Sequence, residues 1–385
     1  MKKKILNIAV VGCGYWGPNL IRNFRGLQDC KLKVICDRDE NRLRSLKNVY
    51  PEVETETEFE KVVADKSIDA VVIATPVRFH YKMAKATLEA GKHTFIEKPM
   101  AASSAECEEL NAIADKNRLT LMIGHTFLYS SPVRKIKEIV KSGDIGTIQY
   151  ISSRRLNLGL YQKDINVAWD LAPHDLSIIL YIMEQTPLSV NCRGNCHVTP
   201  GIEDVTNMSV NFSNNQLALV QNSWLDPRKV REMTIVGTRR MIVYDDLEPL
   251  EKIKIYDARV DRPPHYNTFA EHTYSYHYGD IYIPYVKQEE PLKVECQHFL
   301  DCINSGATPI SNGHAGMELV RILEASNESL KQRGAEVFLD RQPQASPVIQ
   351  IRAAATEGKP EASRRSGVSA RNGNGRHSKS AATSI

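Results

Sequence analysis

The stretch that decides the fold is ILNIAVVGCGYWG, residues 5–17. Its first seven residues are mostly apolar, which predicts a buried strand. Three glycines follow with the spacing G-x-G-x-x-G, and the residues after them have helical character. Glycines at Gly12, Gly14 and Gly17 would allow a tight turn, close approach of the backbone to a pyrophosphate and close packing of helix on strand. We therefore expect the chain to open with a dinucleotide-binding loop.

An acidic residue ends the second predicted strand. Asp37 lies 20 residues beyond Gly17, and its carboxylate can accept hydrogen bonds from ribose hydroxyls while repelling a 2′-phosphate. The sequence therefore favours NAD over NADP as the cofactor. Arg38 leaves two alternatives open, since it could stack on the adenine or partly accommodate a phosphate. Tyr15 and Trp16, inside the glycine loop, are expected to shape the cofactor site.

Strands and helices alternate through the first third of the chain. The apolar run DAVVIA (69–74) suits a parallel sheet covered by helices on both faces. This rhythm predicts a doubly wound α/β (Rossmann) domain over residues 1–124. Strand signals dominate between 190 and 256, so we expect an α+β domain with a mostly antiparallel sheet over residues 125–340. We predict an irregular stretch over 154–167 and a helix that begins at Pro173.

Charge and composition narrow the possible partners. The net charge is +4, but residues 343–385 alone contain seven Lys or Arg and only two Asp or Glu. The rest of the chain is therefore close to neutral, which argues against a basic nucleic-acid-binding fold. We expect residues 341–385 to be a disordered basic tail. Neither a membrane span nor a targeting segment is apparent, so we expect a cytoplasmic protein, and the scattered cysteines predict no metal site.

Two loops follow predicted parallel strands and belong to the expected ligand-binding edge of the sheet. One is TPVRFH (75–80) and the other is EKP (97–99). Ligands bind outside the carboxyl ends of strands in open α/β sheets. We therefore place Thr75, Pro76, His80, Glu97 and Lys98 at the cofactor site, with His80 alternatively only packing at a helix start. A lysine at position 98 could reach over a nicotinamide.

A third signal is WDLAPHD (169–175), at the start of a predicted helix. If Pro173 is the first helical residue, His174 lies in the first turn, where the positive helix end favours a neutral imidazole. A neutral imidazole can accept a proton, as alcohol oxidation requires. Asp170 could orient the ring. The alternative is that the aspartates only cap the helix and His174 is a surface residue.

The ordered combination GCGYWG, Asp37, TPVRFH, EKP and WDLAPHD resembles the Gfo/Idh/MocA family of sugar and inositol oxidoreductases. The resemblance covers residues 5 to about 335. It implies reversible hydride transfer between a substrate carbon and the nicotinamide, with Lys98, Asp170 and His174 as catalytic residues. We expect His174 to be the acid/base, Lys98 to polarise the oxygen and Asp170 to orient the pair, although the first two roles could be exchanged. The family's second domain carries an open sheet that often forms homodimers or homotetramers.

The substrate is less clearly indicated. Candidate substrate contacts are His125, in the segment that joins the domains, and Arg154, Arg155, Asn157 and Tyr161, before the predicted catalytic helix. The alternatives are that His125 simply packs there and that the others belong to a strand edge with solvated charges. The chain most resembles family members that act on nucleotide-linked sugars, such as UDP-N-acetylglucosamine-type 3-dehydrogenases. Inositol or free-sugar dehydrogenation is an alternative. A non-catalytic, dinucleotide-sensing regulator of the same fold is a third possibility, but retention of the three catalytic residue types favours an enzyme.

Overall fold

The computed structural model describes residues 4–162, 165–261 and 275–339, and the structural statements below concern these residues. The predicted basic tail, 341–385, lies outside the described residues. So does most of the aromatic stretch that follows residue 261.

The first half of the fold is an open sheet of six strands covered by helices. The strands are β1 (Leu6–Val11), β2 (Cys30–Cys36), β3 (Glu54–Glu56), β4 (Ala70–Ile73), β5 (His93–Glu97) and β6 (Leu121–Gly124). The helices between them are α1 (Gly17–Gly26), α2 (Glu40–Val49), α3 (Phe59–Ala64), α4 (His80–Glu89) and α5 (Ser104–Asn117). All neighbouring strands are parallel, in the order β3-β2-β1-β4-β5-β6. The predicted Rossmann sheet is confirmed, and its strand order reverses between β1 and β4.

The second half is built on a larger sheet. Its strands are β7 (Ile148–Leu158), β8 (Ser189–Asn195), β9 (Val205–Asn211), β10 (Leu217–Ser223), β11 (Leu225–Gly237), β12 (Met241–Asp245), β13 (Ile253–Asp261), β14 (Ser275–Tyr282) and β15 (Val337–Phe338). The helices are α6 (Ser131–Lys141), α7 (Val167–Met183), α8 (Pro291–Ser305) and α9 (Gly313–Lys331). The strand order is β14-β13-β12-β11-β7-β10-β9-β8-β15. Within the described chain β7 and β10 run parallel and the other neighbours antiparallel, which confirms a mostly antiparallel sheet.

Two boundaries before and in α7 differ from the sequence prediction. The stretch predicted to be irregular is partly strand, because β7 continues to Leu158. Helix α7 begins at Val167 rather than at Pro173, which lies inside the helix. The side chain of Asn166 caps this helix by accepting a hydrogen bond from the Trp169 N–H. The catalytic candidates on α7 therefore occupy different turns from those expected.

Helices α8 and α9 return to the first sheet. The rings of Phe24, Phe95 and Phe299 form an edge-on cluster with centroid separations of 5.7–6.5 Å, which packs α8 against α1 and β5. At the β6 edge, the Ile123 N–H donates to the main-chain oxygen of Ser311 over 2.8 Å. The C-terminal helices thus complete the core of the N-terminal sheet.

Three findings on the described residues concern membrane-spanning helices, groups of metal ligands and the cysteines. None of their helices is long and apolar enough to cross a membrane. No three His, Cys, Asp or Glu side chains among them are grouped as metal ligands. All eight cysteines are free thiols, and Cys196 is the exposed one among them.

Candidate active site

A cavity of about 610 Å³ lies at the carboxyl ends of the first sheet, beside the point where the strand order reverses. Eight of the residues predicted for the cofactor line this one cavity: Gly12, Gly14, Tyr15, Trp16, Asp37, Arg38, Thr75 and Pro76. They come from the loops after β1, β2 and β4. Local motifs that are far apart in sequence are therefore brought together by the parallel topology.

Two of the glycines are required by geometry. Gly12 has φ +97°, and a Cβ there would lie 2.6 Å from the main-chain oxygen of Ala74. A Cβ at Gly17 would lie 2.0 Å from the oxygen of Gly12, so α1 could not approach the loop as closely. The loop therefore leaves its backbone and the start of α1 open to a phosphate-bearing ligand.

Asp37 is held at the loop by two main-chain donors. Its Oδ2 accepts from the Cys13 N–H over 2.6 Å and its Oδ1 from the Asp39 N–H over 2.9 Å. Arg42 stands 3.8 Å from Oδ2 through Nη1. The second lone pairs of the carboxylate oxygens remain available for ribose hydroxyls. The guanidinium of Arg38 lies 5.9 Å from the ring centre of Phe79, at the opposite wall of the cavity.

His80 is buried at the start of α4, with both ring nitrogens next to main-chain oxygens. Nδ1 is 2.8 Å from the oxygen of Pro99 and Nε2 is 2.7 Å from the oxygen of Thr75. Burial lowers the pKa of His80, and these two carbonyls oppose that shift. The ring thus ties the loop after β4 to the loop after β5, which corresponds to the packing role left open by the sequence.

Lys98 and Asp170 meet across the two halves of the fold. Lys98 Nζ donates to the main-chain oxygen of Asp170 over 2.9 Å and lies 3.8 Å from its Oδ1. Burial lowers the pKa of Lys98, while Asp170 and then Glu97 oppose that shift. The ammonium is therefore held where the loop after β5 faces α7.

Glu97 ends β5 next to Lys98, and its Oε2 accepts a hydrogen bond from the Lys98 main-chain N–H over 3.3 Å. Burial raises the pKa of Glu97 to about 7, although Lys98 and the indole of Trp16 favour its ionised form. A second buried acid, Glu295 of α8, accepts a hydrogen bond from the Thr126 hydroxyl over 2.7 Å. Burial and then Glu97 raise the pKa of Glu295 well above its usual value. Glu295 was not found from sequence, since it lies in an ordinary amphipathic helix.

His174 lies on α7 one turn after Asp170, in a cluster of cationic groups. Burial lowers its pKa well below the usual value, and Lys98, Arg155, His125 and Arg231 act in the same direction. The expected cause, a position in the first turn of a helix, is wrong because α7 starts at Val167. Burial, followed by the charges of Lys98 and Arg155, favours the neutral form of this imidazole. Asp170 accepts a hydrogen bond from Lys98 at its main-chain oxygen and one from Trp224 at Oδ2, and among the described residues none joins it to the His174 ring.

Phe127 and His125 form one wall beside His174. The rings of Phe127 and His174 are 5.2 Å apart and edge-on. His125 is buried, and burial followed by the charge of Lys98 lowers its pKa to about 3. Its Nδ1 has no hydrogen-bond partner among the described residues. His125 is therefore a buried neighbour of Lys98 and His174.

The two arginines of β7 point to opposite faces of the sheet. Arg155 is buried on the inner face, where Nε and Nη2 donate to Asp175 over 2.8 and 2.9 Å. Arg154 is exposed on the outer face and pairs with Glu232. The expectation that Arg154 contacts substrate does not agree with this placement, because successive side chains of a strand alternate between faces. Asn157 comes two residues after Arg155 on β7 and therefore belongs to the same, inner face of the sheet.

Tyr161 packs against a residue that the sequence analysis missed. Its ring centre is 5.4 Å from that of Trp224. The Trp224 indole N–H donates to Asp170 Oδ2 over 3.0 Å. Trp224 follows β10 and is separated from Asp170 by 54 positions, so no local pattern would have revealed the pair.

Comparison with known proteins agrees with both halves of the fold. Residues 6–125 match the model for the oxidoreductase family with an NAD-binding Rossmann fold. Residues 133–243 match the model for the GFO/IDH/MocA C-terminal domain. The two matches cover separate sheets of the structure and follow each other in the order expected from the motifs.

Three similar proteins illustrate the range of this group. An uncharacterized oxidoreductase of Bacillus subtilis, YrbE, is 27% identical over 86% of this chain and 95% of its own length. The myo-inositol 2-dehydrogenase of Thermotoga maritima is 24% identical over 85% of this chain and 97% of its own. The solved structure of UDP-N-acetylglucosamine 3-dehydrogenase GnnA from Acidithiobacillus ferrooxidans has a TM-score of 0.71 and 21% identity, covering 85% of this chain and 98% of that one. This last likeness concerns the fold alone.

Proposed function

The chain belongs to the Gfo/Idh/MocA family of oxidoreductases, and from this premise we propose that it oxidises a secondary alcohol of a sugar or nucleotide sugar with NAD. The observation that carries the proposal is the meeting of Lys98, Asp170 and His174 beside the carboxyl ends of the first sheet. An ammonium, a carboxylate and a neutral imidazole are the groups that alcohol oxidation needs. Their convergence favours an enzyme over a dinucleotide-sensing regulator.

The residues around the cavity fit NAD. Gly12 and Gly17 keep the loop open at positions where a Cβ would collide with backbone, as a bound pyrophosphate requires. Asp37 would accept hydrogen bonds from the ribose hydroxyls, and Tyr15, Trp16, Arg38, Thr75 and Pro76 would line the remaining walls. When bound, NAD supplies the hydride acceptor.

The protein's own groups would then manage the proton of the alcohol. Lys98, held by Asp170, donates a hydrogen bond to the substrate oxygen and stabilises the negative charge that develops there. His174 accepts the hydroxyl proton at its imidazole and becomes imidazolium. The cationic surroundings make the His174 imidazole a weak base in the absence of substrate. As the substrate O–H bond breaks, the negative charge that develops on the oxygen offsets their effect. In the reverse direction His174 returns the proton.

We place the substrate in the region bounded by Lys98, His174, Asn157 and Tyr161. Arg155 lies at the same face but is already bound by Asp175, so it is better suited to fixing α7 on the sheet than to capturing an anion. We propose a nucleotide sugar as the first class to test, with inositols and free sugars as the alternative.

The test is a panel assay with the purified full chain. Nucleotide sugars, free sugars and inositols are each incubated with NAD, and NADH formation is followed by absorbance. We expect turnover with at least one secondary alcohol of these classes. If no compound yields NADH while the protein still binds NAD, the regulator becomes the better proposal.

We also propose that the chain forms a homodimer or homotetramer and works in the cytoplasm. The outer face and edge of the second sheet carry exposed apolar side chains, including Tyr150, Leu219, Tyr278 and Tyr282. Light scattering coupled to size-exclusion chromatography tests the assembly. The free thiols of the chain suit a reducing compartment, and cell fractionation tests the location.

A further inference from the structure

We propose that Trp224 is a positioning residue for the reaction: its indole N–H fixes the Asp170 carboxylate so that this group faces Lys98. The inference rests on the proposed function only in that Lys98 and Asp170 are assigned to the chemistry there. Trp224 itself does not touch the reacting atoms. It acts through Asp170, whose Oδ2 accepts the indole hydrogen bond while Oδ1 lies toward the ammonium.

The indole is held rigidly. Trp224 is 0% exposed, and its main chain is bound on both sides. The main-chain N–H of Trp224 donates to the main-chain oxygen of Asp204, and the main-chain oxygen of Trp224 accepts from the Gly159 N–H, both over 2.9 Å. A side chain fixed in this way can impose one orientation on a flexible carboxylate. The Asp170 side chain is partly exposed, and without the indole hydrogen bond its carboxylate would be free to rotate.

Gly159 leaves room for the indole. A Cβ at position 159 would lie 2.5 Å from Cδ1 of Trp224, so any larger residue there must displace the ring. Tyr161 packs on the same indole two residues later. The segment after β7 therefore packs against the Trp224 ring, and the Asp170 carboxylate accepts the hydrogen bond of its indole N–H. An alanine at position 159 offers a way to move the indole without changing Trp224 or Asp170.

The consequence for Lys98 follows from its charged surroundings. Asp170 and His174 approach from α7, Glu97 adjoins it in its own loop, Arg155 lies on β7 and His125 follows β6. Among these, Asp170 is the strongest group favouring the charged ammonium, and Arg155 acts against it. If Asp170 loses its fixed orientation, this support weakens while burial and Arg155 remain. The pKa of Lys98 should then fall further.

The experiment compares the full-length protein with W224F and G159A. W224F keeps an aromatic ring but removes the N–H donor, and G159A pushes the ring away. The ammonium of Lys98 is titrated by NMR on protein labelled with ¹³C at lysine Cε, with its resonance assigned from K98R. We expect both variants to lower the Lys98 titration midpoint by about half to one pH unit. We also expect kcat to fall about tenfold, with an unchanged KM for NAD.

Y181F is the matched control, because it removes a hydroxyl from the same helix at a distance from the site. An unchanged Lys98 midpoint in folded W224F overturns the proposal, and so does an equal shift in Y181F. If W224F does not fold, the midpoint in G159A decides. The NMR titration needs no turnover. A shift in both variants with a wild-type protein that is inactive on every substrate supports the role of Trp224 and counts against the proposed function.

Discussion

The Nζ atom of Lys98 donates a hydrogen bond to the main-chain oxygen of Asp170 over 2.9 Å. This contact joins the loop after β5 in the first sheet to the first turn of α7 on the second. A main-chain acceptor fixes the ammonium even when the carboxylate of Asp170 changes its orientation. Lys98 is thus located by the backbone, and the side chain of Asp170 is left to tune its charge.

K98A should abolish turnover while NAD affinity changes little. The ammonium stabilises charge only at the reacting oxygen, and Lys98 does not line the cavity that Asp37 and the glycine loop form. We expect kcat to fall by about 10²–10⁴-fold. NAD binding is measured by calorimetry and turnover by NADH absorbance. K116A, a change in an exposed helix end, should keep wild-type kinetics. Substantial turnover in K98A would mean that the chemistry has been placed wrongly.

D37A should weaken NAD binding more than NADP binding. The variant loses acceptors for the ribose hydroxyls but also loses the charge that repels a 2′-phosphate, while Arg38 and Arg42 stay close by. We expect the preference for NAD to fall about tenfold, corresponding to about one hydrogen bond to a charged group. Binding of both cofactors is titrated in parallel. A natural preference of the unmodified protein for NADP would contradict the assignment.

The pH profile of kcat/KM should distinguish the roles of His174 and Lys98. His174 must be neutral to accept a proton, so activity is lost only as pH falls through its pKa, which burial places well below the usual value. Lys98 must be charged, so activity is lost as pH rises through its pKa, which burial places below its usual value. K98R should retain charge and move the alkaline limb to higher pH. A rise in activity across the range where Lys98 loses its proton would instead make Lys98 the proton acceptor.

D175N should destabilise the protein strongly, while R154A should not. The first leaves the buried guanidinium of Arg155 without its carboxylate, at a cost of about 3–5 kcal/mol. The second removes an exposed pair on the other face of the same strand and should change the free energy of unfolding by less than about 0.5 kcal/mol. Urea unfolding compares the two. R154A should also retain kcat/KM, and a large loss there would restore Arg154 as a substrate contact.

F299A should lower stability by about 3–5 kcal/mol, because it opens a cavity between Phe24 and Phe95. F299L keeps most of the volume and should cost less than about half of that. The melting temperatures of both variants are measured by circular dichroism, once without NAD and once with it. If F299A changed the melting temperature no more than F299L, the packing of α8 on the first sheet would be unimportant.

The cofactor half of the site was predictable because its signals are local. Gly12 and Asp37 directly follow strands and Thr75 comes two residues after β4, and the parallel order of strands brings such positions to one edge. The same reasoning placed Lys98. These predictions needed only the positions of strand ends, which apolar runs indicate well.

The substrate half was less predictable because its determinants are long-range or ambiguous. Pro173 suggested a helix start, yet Asn166 caps α7 seven positions earlier, and an Asn directly before the apolar run 167–169 was the available signal. Arg154 and Arg155 could be told apart only once the face of β7 was known. Trp224 depends on the pairing of β10 with β7, which no local pattern contains.

The return of α8 and α9 to the first sheet has a consequence for how the chain is made. A ribosome releases the glycine loop and Asp37 early, but Phe299 and Ser311, which close the flank of the same sheet, emerge more than 200 residues after β5. Until then Phe95 has the Phe24 ring of α1 beside it but not Phe299, and Ile123 lacks its hydrogen-bond partner Ser311. We expect the cofactor pocket to mature only after α8 and α9 have left the ribosome, so a nascent chain would need both helices before NAD could stabilise its fold.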